Sequence, residues 1–524
     1  MVGVAAKSRS CDRCRSQKVR CGLQRPFCDR CLKAKSVCTG YERGLVFVNR
    51  SLANPSQSTV SVLSQLRQKQ DPKISSGDTS IAQIHVFHSP SAERLQIFNA
   101  FTGLYLPQAG AHQLLSGSSA ASWIQCLLNL SDRTDTATTS LTAMCLSHIA
   151  LLNKNDILHR ESTEMYNSAL RELRLEIANP IARFREETLA AIVMLTTYEI
   201  FSGPGQVGSG WASHVLGSSQ LLQLWGPSIG KSPISYHLFQ RARTSCVFDA
   251  LRRRQSTFLA DPEWRNLAPK QASSDPYNKF WDLIVDLPSI LELADQLSNE
   301  IPCKTTRPGG LRLYDSCWSL NNKLQDWHHK LISEIPGLVY WPVPSAVSNP
   351  ADSIAYGRVF PLSLQFESLH VAQLLLSYWT ALLLLYNSMY QICPIINNAR
   401  SSRRANEIAI ESHKMDKTNR TLNSWYIESN NTPLTAEWYA VPPPPVEEMV
   451  RLAKYICQST EYCYGVDKGT LGPQLTVFSI WAAKQAFLSQ PGYERELAWC
   501  SEIKNMRAAH YQFDIPIIEI AGIR

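Results

Sequence analysis

Six cysteines between positions 11 and 38 constrain this chain more than any other feature it carries. They follow the spacing C-x2-C-x6-C-x6-C-x2-C-x6-C, with no histidine among them. The array is a duplication: Cys11-Asp12-Arg13-Cys14 with Cys21 recurs seventeen residues later as Cys28-Asp29-Arg30-Cys31 with Cys38. Two near-copies of one short unit predict two similar helix-plus-strand segments facing each other about a pseudo-twofold axis. Structural zinc takes four ligands in a tetrahedron. Six thiolates cannot complete two separate four-ligand sites, but they can if two sulfurs bridge both metals. By the pseudo-symmetry the bridging pair is Cys11 with Cys28, Cys14 with Cys31, or Cys21 with Cys38, and spacing alone leaves all three open.

Other uses of cysteine fit less well. A lone C-x-x-C suits a redox site or half a zinc ribbon, whereas this array is a duplicated set of three. A disulfide framework needs an oxidising compartment, and residues 1–10 lack the apolar core of a secretory signal. The nine further cysteines (126, 145, 246, 303, 317, 393, 457, 463 and 500) have no ligand spacing and read as reduced, mostly buried thiols.

Charge is concentrated on the same stretch. Residues 1–43 hold eleven Lys and Arg against three acidic residues, a net of +8; the whole chain is also +8, so the remaining 481 residues sum to zero. Six thiolates and two Zn²⁺ add −2 to that figure, leaving the segment near +6. A small basic unit of that kind suits a polyanion, because its cations displace counterions from phosphates.

The array resembles the zinc binuclear cluster, the Zn2Cys6 DNA-binding domain of fungal transcription regulators. Pro26 stands in the loop where that family commonly has a proline, and Arg13, Arg15, Gln17, Lys18 and Arg20 fall on its basic first-helix pattern. The resemblance implies two zinc ions held by Cys11, Cys14, Cys21, Cys28, Cys31 and Cys38, with Cys11 and Cys28 bridging. It implies that Lys18 and the adjacent backbone read a CGG triplet in the major groove, since lysine can donate to guanine O6 and N7. Arg13, Arg15, Arg20 and Arg25, with Lys33 and Lys35, would then hold phosphates and set register. Lys35 is the repeat-mate of Lys18, but Leu32 and Val37 replace Arg15 and Arg20 in its half, so the first half is the better reader.

Residues 39–90 are rich in Ser, Gln, Asn and Pro and read as a flexible linker. Its best coiled-coil seam is Val60, Leu63 and Leu66, well short of the three to four heptads a zipper needs, so homodimerisation stays open. From about residue 91 to 524 the pattern is helical. Tyr166, Ala169, Leu170 and Leu173 run at i, i+3, i+4 and i+7, and similar stripes appear near 137–152, 186–201, 211–225, 235–250, 277–298, 312–333, 362–392, 446–464 and 474–489. Over roughly 91–270 this resembles the all-α middle regulatory region of the same family, with Tyr198-Glu199, Trp211, His214, Gly217, Trp225-Gly226-Pro227, Phe258-Leu259 and Trp264 in its familiar order. The expected fold is therefore mainly α: a Zn2Cys6 domain at 11–38, a linker at 39–90 and a large all-α regulatory domain at 91–524.

Several other signals take a structural reading. The run from His370 to Tyr386 is very apolar, but Gln373, Ser377 and Thr380 interrupt it, which fits a buried core helix better than a membrane span. Residues 203–208 formally match G-x-G-x-x-G, yet they follow a helical pattern and contain Pro204, so they read as a helix-helix loop. His328-His329 and His85 with His88 have no acidic or cysteine partners at metal spacing, and His214, on the Trp211 stripe, reads as a packed core histidine rather than a pocket-lining one. Pro442–Pro445 reads as a rigid spacer. No motif for catalysis is present, and an enzyme is not expected. The resemblance implies a nuclear regulator of RNA polymerase II transcription, working with double-stranded DNA and the transcription machinery, and at family level the control of a biosynthetic gene cluster. Two rival classes are a metabolite sensor whose α-domain binds a small-molecule effector, and a zinc adaptor between proteins that does not touch DNA.

Overall fold

A computed structural model describes residues 13–14, 17–22, 28–34, 90–108, 121–131, 134–201, 209–265, 267, 275–299, 306–415 and 441–506. Cys11, Cys38, Arg15, Arg25, Lys35, the Val60/Leu63/Leu66 seam, His85, His88 and the loop at 203–208 lie outside them. The chain divides into two compact units, Met1–Glu93 and Arg94–Arg524.

The first unit contains a short helix, α1 (Asp29–Lys33), and a helical turn at Arg13-Cys14, the two halves of the cysteine repeat. Among the described residues its core is four buried sulfurs, Cys14, Cys21, Cys28 and Cys31, with Val19 packed against them.

The second unit is helical, with α2 (Pro90–Tyr105), α3 (Ile124–Ser131), α4 (Asp135–Asn153), α5 (Asp156–Ala178), α6 (Glu186–Phe201), α7 (Ser209–Trp225) and α8 (Pro233–Arg253) followed by α9 (Pro276–Ile284), α10 (Leu287–Asn299) and α11 (Thr306–Glu334). Then come the long α12 (Leu369–Met415), α13 (Val446–Gln458), α14 (Thr460–Cys463), α15 (Leu471–Leu488) and α16 (Glu494–Ser501). Local chemistry sets many ends. Thr134 and Asn155 cap α4 and α5 by accepting first-turn N–H groups at 3.0–3.1 Å. Lys154 and Arg254 close α4 and α8 in the left-handed conformation, with the following N–H bonded five residues back at 3.0 Å.

One continuous apolar core runs through this unit from Phe98 to Met506. Two helices carry most of its centre. In α6 the side chains from Glu187 to Tyr198 are all buried, which is why its sequence is apolar on every side. Helix α12 packs against α10, α11, α13 and α15. Its segment Leu369–Asn397 is long and apolar enough to cross a membrane, but 89% of its most apolar window is buried inside this unit. A core helix surrounded by other helices accounts for that composition.

The structure departs from the periodicity at three places. The 362–392 stripe begins with a strand, because Leu362–Phe366 pairs antiparallel with Tyr340–Pro344 in register Tyr340↔Phe366 to Pro344↔Leu362. The 277–298 stripe breaks at Val285-Asp286 into α9 and α10, and the 446–464 stripe at Ser459 into α13 and α14. In the first case strand pairing overrides the local pattern.

Gly469 fastens α2 to the start of α15. It sits at φ +59°, and a Cβ there would lie 2.5 Å from the Tyr105 carbonyl oxygen and 2.7 Å from that of Leu106. Only glycine lets the backbones approach this closely. The contact is held by Thr470 N–H donating to Leu104 O at 3.1 Å and Gln108 N–H donating to Asp467 O at 2.9 Å.

Candidate metal centre and nucleic-acid interface

The sulfurs are placed by the repeat. Cys14 lies on the helical turn of the first half and Cys31 on α1 of the second. Cys28 precedes α1 in extended backbone, and its sulfur accepts the Cys31 N–H at 3.4 Å. Cys14 Sγ lies 3.7 Å from Cys28 Sγ and 3.9 Å from Cys31 Sγ, and the three sulfurs are mutually within 4.8 Å. A tetrahedron with Zn–S bonds of about 2.3 Å has S···S edges of about 3.8 Å. The donor set and its spacing therefore fit zinc. Cys21 is buried in the same cluster; the first and last cysteines of the array, Cys11 and Cys38, lie outside the described residues.

The polar side of this unit is exposed. Gln17, Lys18, Arg20 and Lys33 are exposed and Arg13 is half-buried. Lys18 occupies a special position. Gln17 N–H donates to Arg13 O at 3.0 Å, Val19 N–H donates to Cys14 O at 2.9 Å, and Lys18 between them has φ +52°. This is a left-handed helix stop, in which the residue after the cap bonds back five positions. Val19 turns onto the sulfur cluster, while Lys18 stays exposed at the point where the first helical turn ends. In the second half the exposed neighbour is Leu32, 58% exposed, an apolar side chain where the first half has Arg15.

In the helical unit, the landmarks at Tyr198-Glu199 and Trp211/His214 form one packed polar cluster. Tyr166 O–H donates to Glu199 Oε1 and its oxygen lies 2.9 Å from His214 Nε2. The Tyr166 and Tyr198 rings stack at 4.2 Å. Burial lowers His214 to a pKa of about 4, so it is neutral. His214 is thus a packed, hydrogen-bonded histidine. His328 stacks flat on Tyr378 at 4.5 Å and likewise has its pKa lowered by burial to about 4. Neither is part of a metal-ligating group; among the described residues, that description fits Cys14, Cys28 and Cys31.

Sequence reading gave no weight to Arg241 on α8, which lines a cavity between α8, α9, α12 and α15. Its signal was faint: one of several arginines along this helix.

Comparison with known families gives two matches. The family model for the fungal specific transcription factor domain matches residues 108–458, and that for the fungal Zn(2)-Cys(6) binuclear cluster domain matches residues 9–45. No curated protein and no solved structure matches the chain.

Proposed function

Because the chain belongs to the fungal Zn2Cys6 transcription factor family, a zinc- and DNA-binding regulator of transcription, we propose that it reads CGG-type triplets in the promoters of RNA polymerase II genes. The observation that carries this reading is Lys18: an exposed lysine held at a left-handed helix stop, next to Val19, which packs on the buried sulfur cluster. A lysine projecting from a helix end can reach guanine O6 and N7 in the major groove. In this reading Cys11, Cys14, Cys21, Cys28, Cys31 and Cys38 hold two zinc ions, with Cys11 and Cys28 bridging. The zincs fix the scaffold, and the exposed cations position it. Arg13, Arg20 and Lys33, with Arg15, Arg25 and Lys35, contact phosphates and give affinity without sequence preference. Gln17 flanks the reading lysine.

The protein acts in the nucleus, and its α-domain couples DNA occupancy to the transcription machinery; control of a biosynthetic gene cluster is the family-level expectation. The matched families are transcription factor domains rather than enzymes, and no catalytic role is assigned. One triplet is too short to be unique in a genome, where each base pair discriminates by about 1–3 kcal/mol against a vast excess of competing sites. Flanking contacts or a second half-site must supply the rest. The test is fluorescence anisotropy of the full chain on duplexes with and without CGG, before and after chelation. Preference for CGG that disappears with zinc supports the reading. Equal binding to both duplexes, or no binding, overturns it and favours a zinc adaptor between proteins.

A further inference from the structure

The helical unit encloses a cavity of about 100 Å³ between α8, α9, α12 and α15. Most of its wall is apolar, including Phe248, Phe280, Trp281, Leu384 and Phe478. Three polar features on this wall are unusual.

The first is a cation. Arg241 is half-buried and lines the cavity. Its Nη1 donates to Ser245 Oγ at 2.7 Å and Nη2 to Thr197 Oγ1 at 3.5 Å, both neutral acceptors, and the group sits 5.7 Å from the Trp123 ring centroid. The charged groups nearest to it are tyrosines, Tyr105 and Tyr277, both with pKa values raised by burial and hence neutral. Arg243, one turn away on the same helix, shows the ordinary solution, an ion pair with Asp282 at 2.7 Å. Arg241 has no carboxylate partner among the described residues, although a charge in an apolar interior is costly unless paired.

The second and third features lie on α12. Gln373 is only 5% exposed and Ser377, one turn on, is half-buried; neither side chain makes a hydrogen bond among the described residues. Both line the cavity, and Thr380, the next polar residue on that face, is satisfied by Leu376 O and Ser479 Oγ. The residues that interrupt the most apolar run of the sequence are therefore spaced i, i+4, i+7, and all of them line this cavity.

We propose that the cavity is a binding site for a small organic monocarboxylate, with Arg241 as counter-ion to the carboxylate, Gln373 and Ser377 as further hydrogen-bond partners, and the apolar wall enclosing the hydrocarbon part. An unpaired guanidinium requires an anion, and a carboxylate matches its planar fork. The lining aromatics require an apolar body. A cavity near 100 Å³ is somewhat smaller than the roughly 150 Å³ that accommodates benzene, which fits a short branched chain. This site does not depend on how the cysteine domain reads DNA.

The experiment uses the full-length, zinc-loaded protein and titrates isovalerate, with isovaleramide as the neutral isostere and chloride as an inorganic control, by calorimetry and thermal melting. A ligand bound only by the folded state raises the melting temperature. Isovalerate is expected to bind and stabilise, and isovaleramide to bind about tenfold or more weakly. Arg241→Met should lose the isovalerate response while keeping its helical content. Should Arg241→Met fail to fold, Gln373→Leu decides, with an expected affinity loss of several-fold and an unchanged far-UV spectrum. Three results overturn the proposal: no response to isovalerate, equal responses to acid and amide, or stabilisation by chloride that isovalerate does not exceed. DNA binding measured on the same samples separates a failure here from a failure of the DNA reading.

Discussion

Cys14 Sγ and Cys28 Sγ lie 3.7 Å apart although fourteen residues separate them in the chain. That distance is one edge of a zinc-thiolate tetrahedron, and it joins the first half of the repeat to the second. Cys31, on the second copy, lies 3.9 Å from Cys14. The two copies of C-D-R-C thus share a metal centre instead of building one each.

Zinc stoichiometry follows from that sharing. Native mass spectrometry of the full chain is expected to give two zincs per chain. Chelation should abolish DNA binding yet leave the far-UV helical signal nearly intact, because the helical unit Arg94–Arg524 has its own continuous core. A single zinc with two free thiols would rule out the bridged cluster.

Gly469 and Gly226 provide a paired test of the helical core. Both have positive φ, +59° and +75°, but a Cβ at Gly226 meets nothing within 4 Å, whereas at Gly469 it meets the Tyr105 carbonyl oxygen at 2.5 Å. Gly226→Ala is expected to cost only the backbone strain of a Cβ in a conformation that essentially only glycine adopts, about 1–3 kcal/mol. Gly469→Ala adds a backbone clash and should cost about 2–4 kcal/mol. Urea denaturation followed by circular dichroism checks the difference; equal losses would mean the α2–α15 contact yields easily.

How much of this was legible in the sequence varies by element. The metal centre was, because thiolate count and spacing are fixed by coordination chemistry and survive any detail of packing. The helices were too: the 186–201 stripe matches α6, Glu186–Phe201. The strand Leu362–Phe366 was not, because five residues of alternation are indistinguishable from the start of a helical stripe until Tyr340–Pro344 is beside them. The cavity was half visible. Gln373, Ser377 and Thr380 stood out as interruptions, but only the fold brings Arg241, more than a hundred residues away, to the same space. The left-handed turn at Lys18 left no mark in the sequence, since neither glycine nor asparagine occupies it.

Acid should destabilise the helical unit well before its carboxylates titrate. Burial lowers His148 to about 3, and His214, His328 and His370 to about 4. The unfolded chain binds protons on these residues near pH 6.5 while the folded chain does not, so stability is full above pH 6.5 and falls as pH drops toward 4. His148 is fully buried, with Nε2 2.8 Å from Thr470 Oγ1 and no partner on Nδ1. At pH 5 it alone accounts for about 2 kcal/mol of lost stability. Urea midpoints at pH 7 and pH 5 measure the drop, and His148→Gln should make it smaller. A flat profile over that range would contradict the buried, neutral histidines.

Lys18 allows folding and reading to be separated by a single substitution. Its φ of +52° costs a lysine about 1 kcal/mol that a glycine would not incur. Lys18→Gly should therefore leave the zinc-bound domain folded or slightly more stable, where loss of an ordinary structural side chain would weaken it. It should also erase the preference for CGG over a scrambled duplex, a loss of about 1–3 kcal/mol of discrimination. Lys33 is exposed at the end of α1 and has an ordinary helical backbone. If it holds a phosphate, Lys33→Ala should weaken binding evenly across sequences and reduce the slope of log affinity against log salt by about 0.9. Anisotropy titrations of both variants on both duplexes, at several salt concentrations, give discrimination and slope together. Uniform weakening by Lys18→Gly with discrimination intact would move base reading away from the end of the first helical turn, whatever the zinc content proves to be.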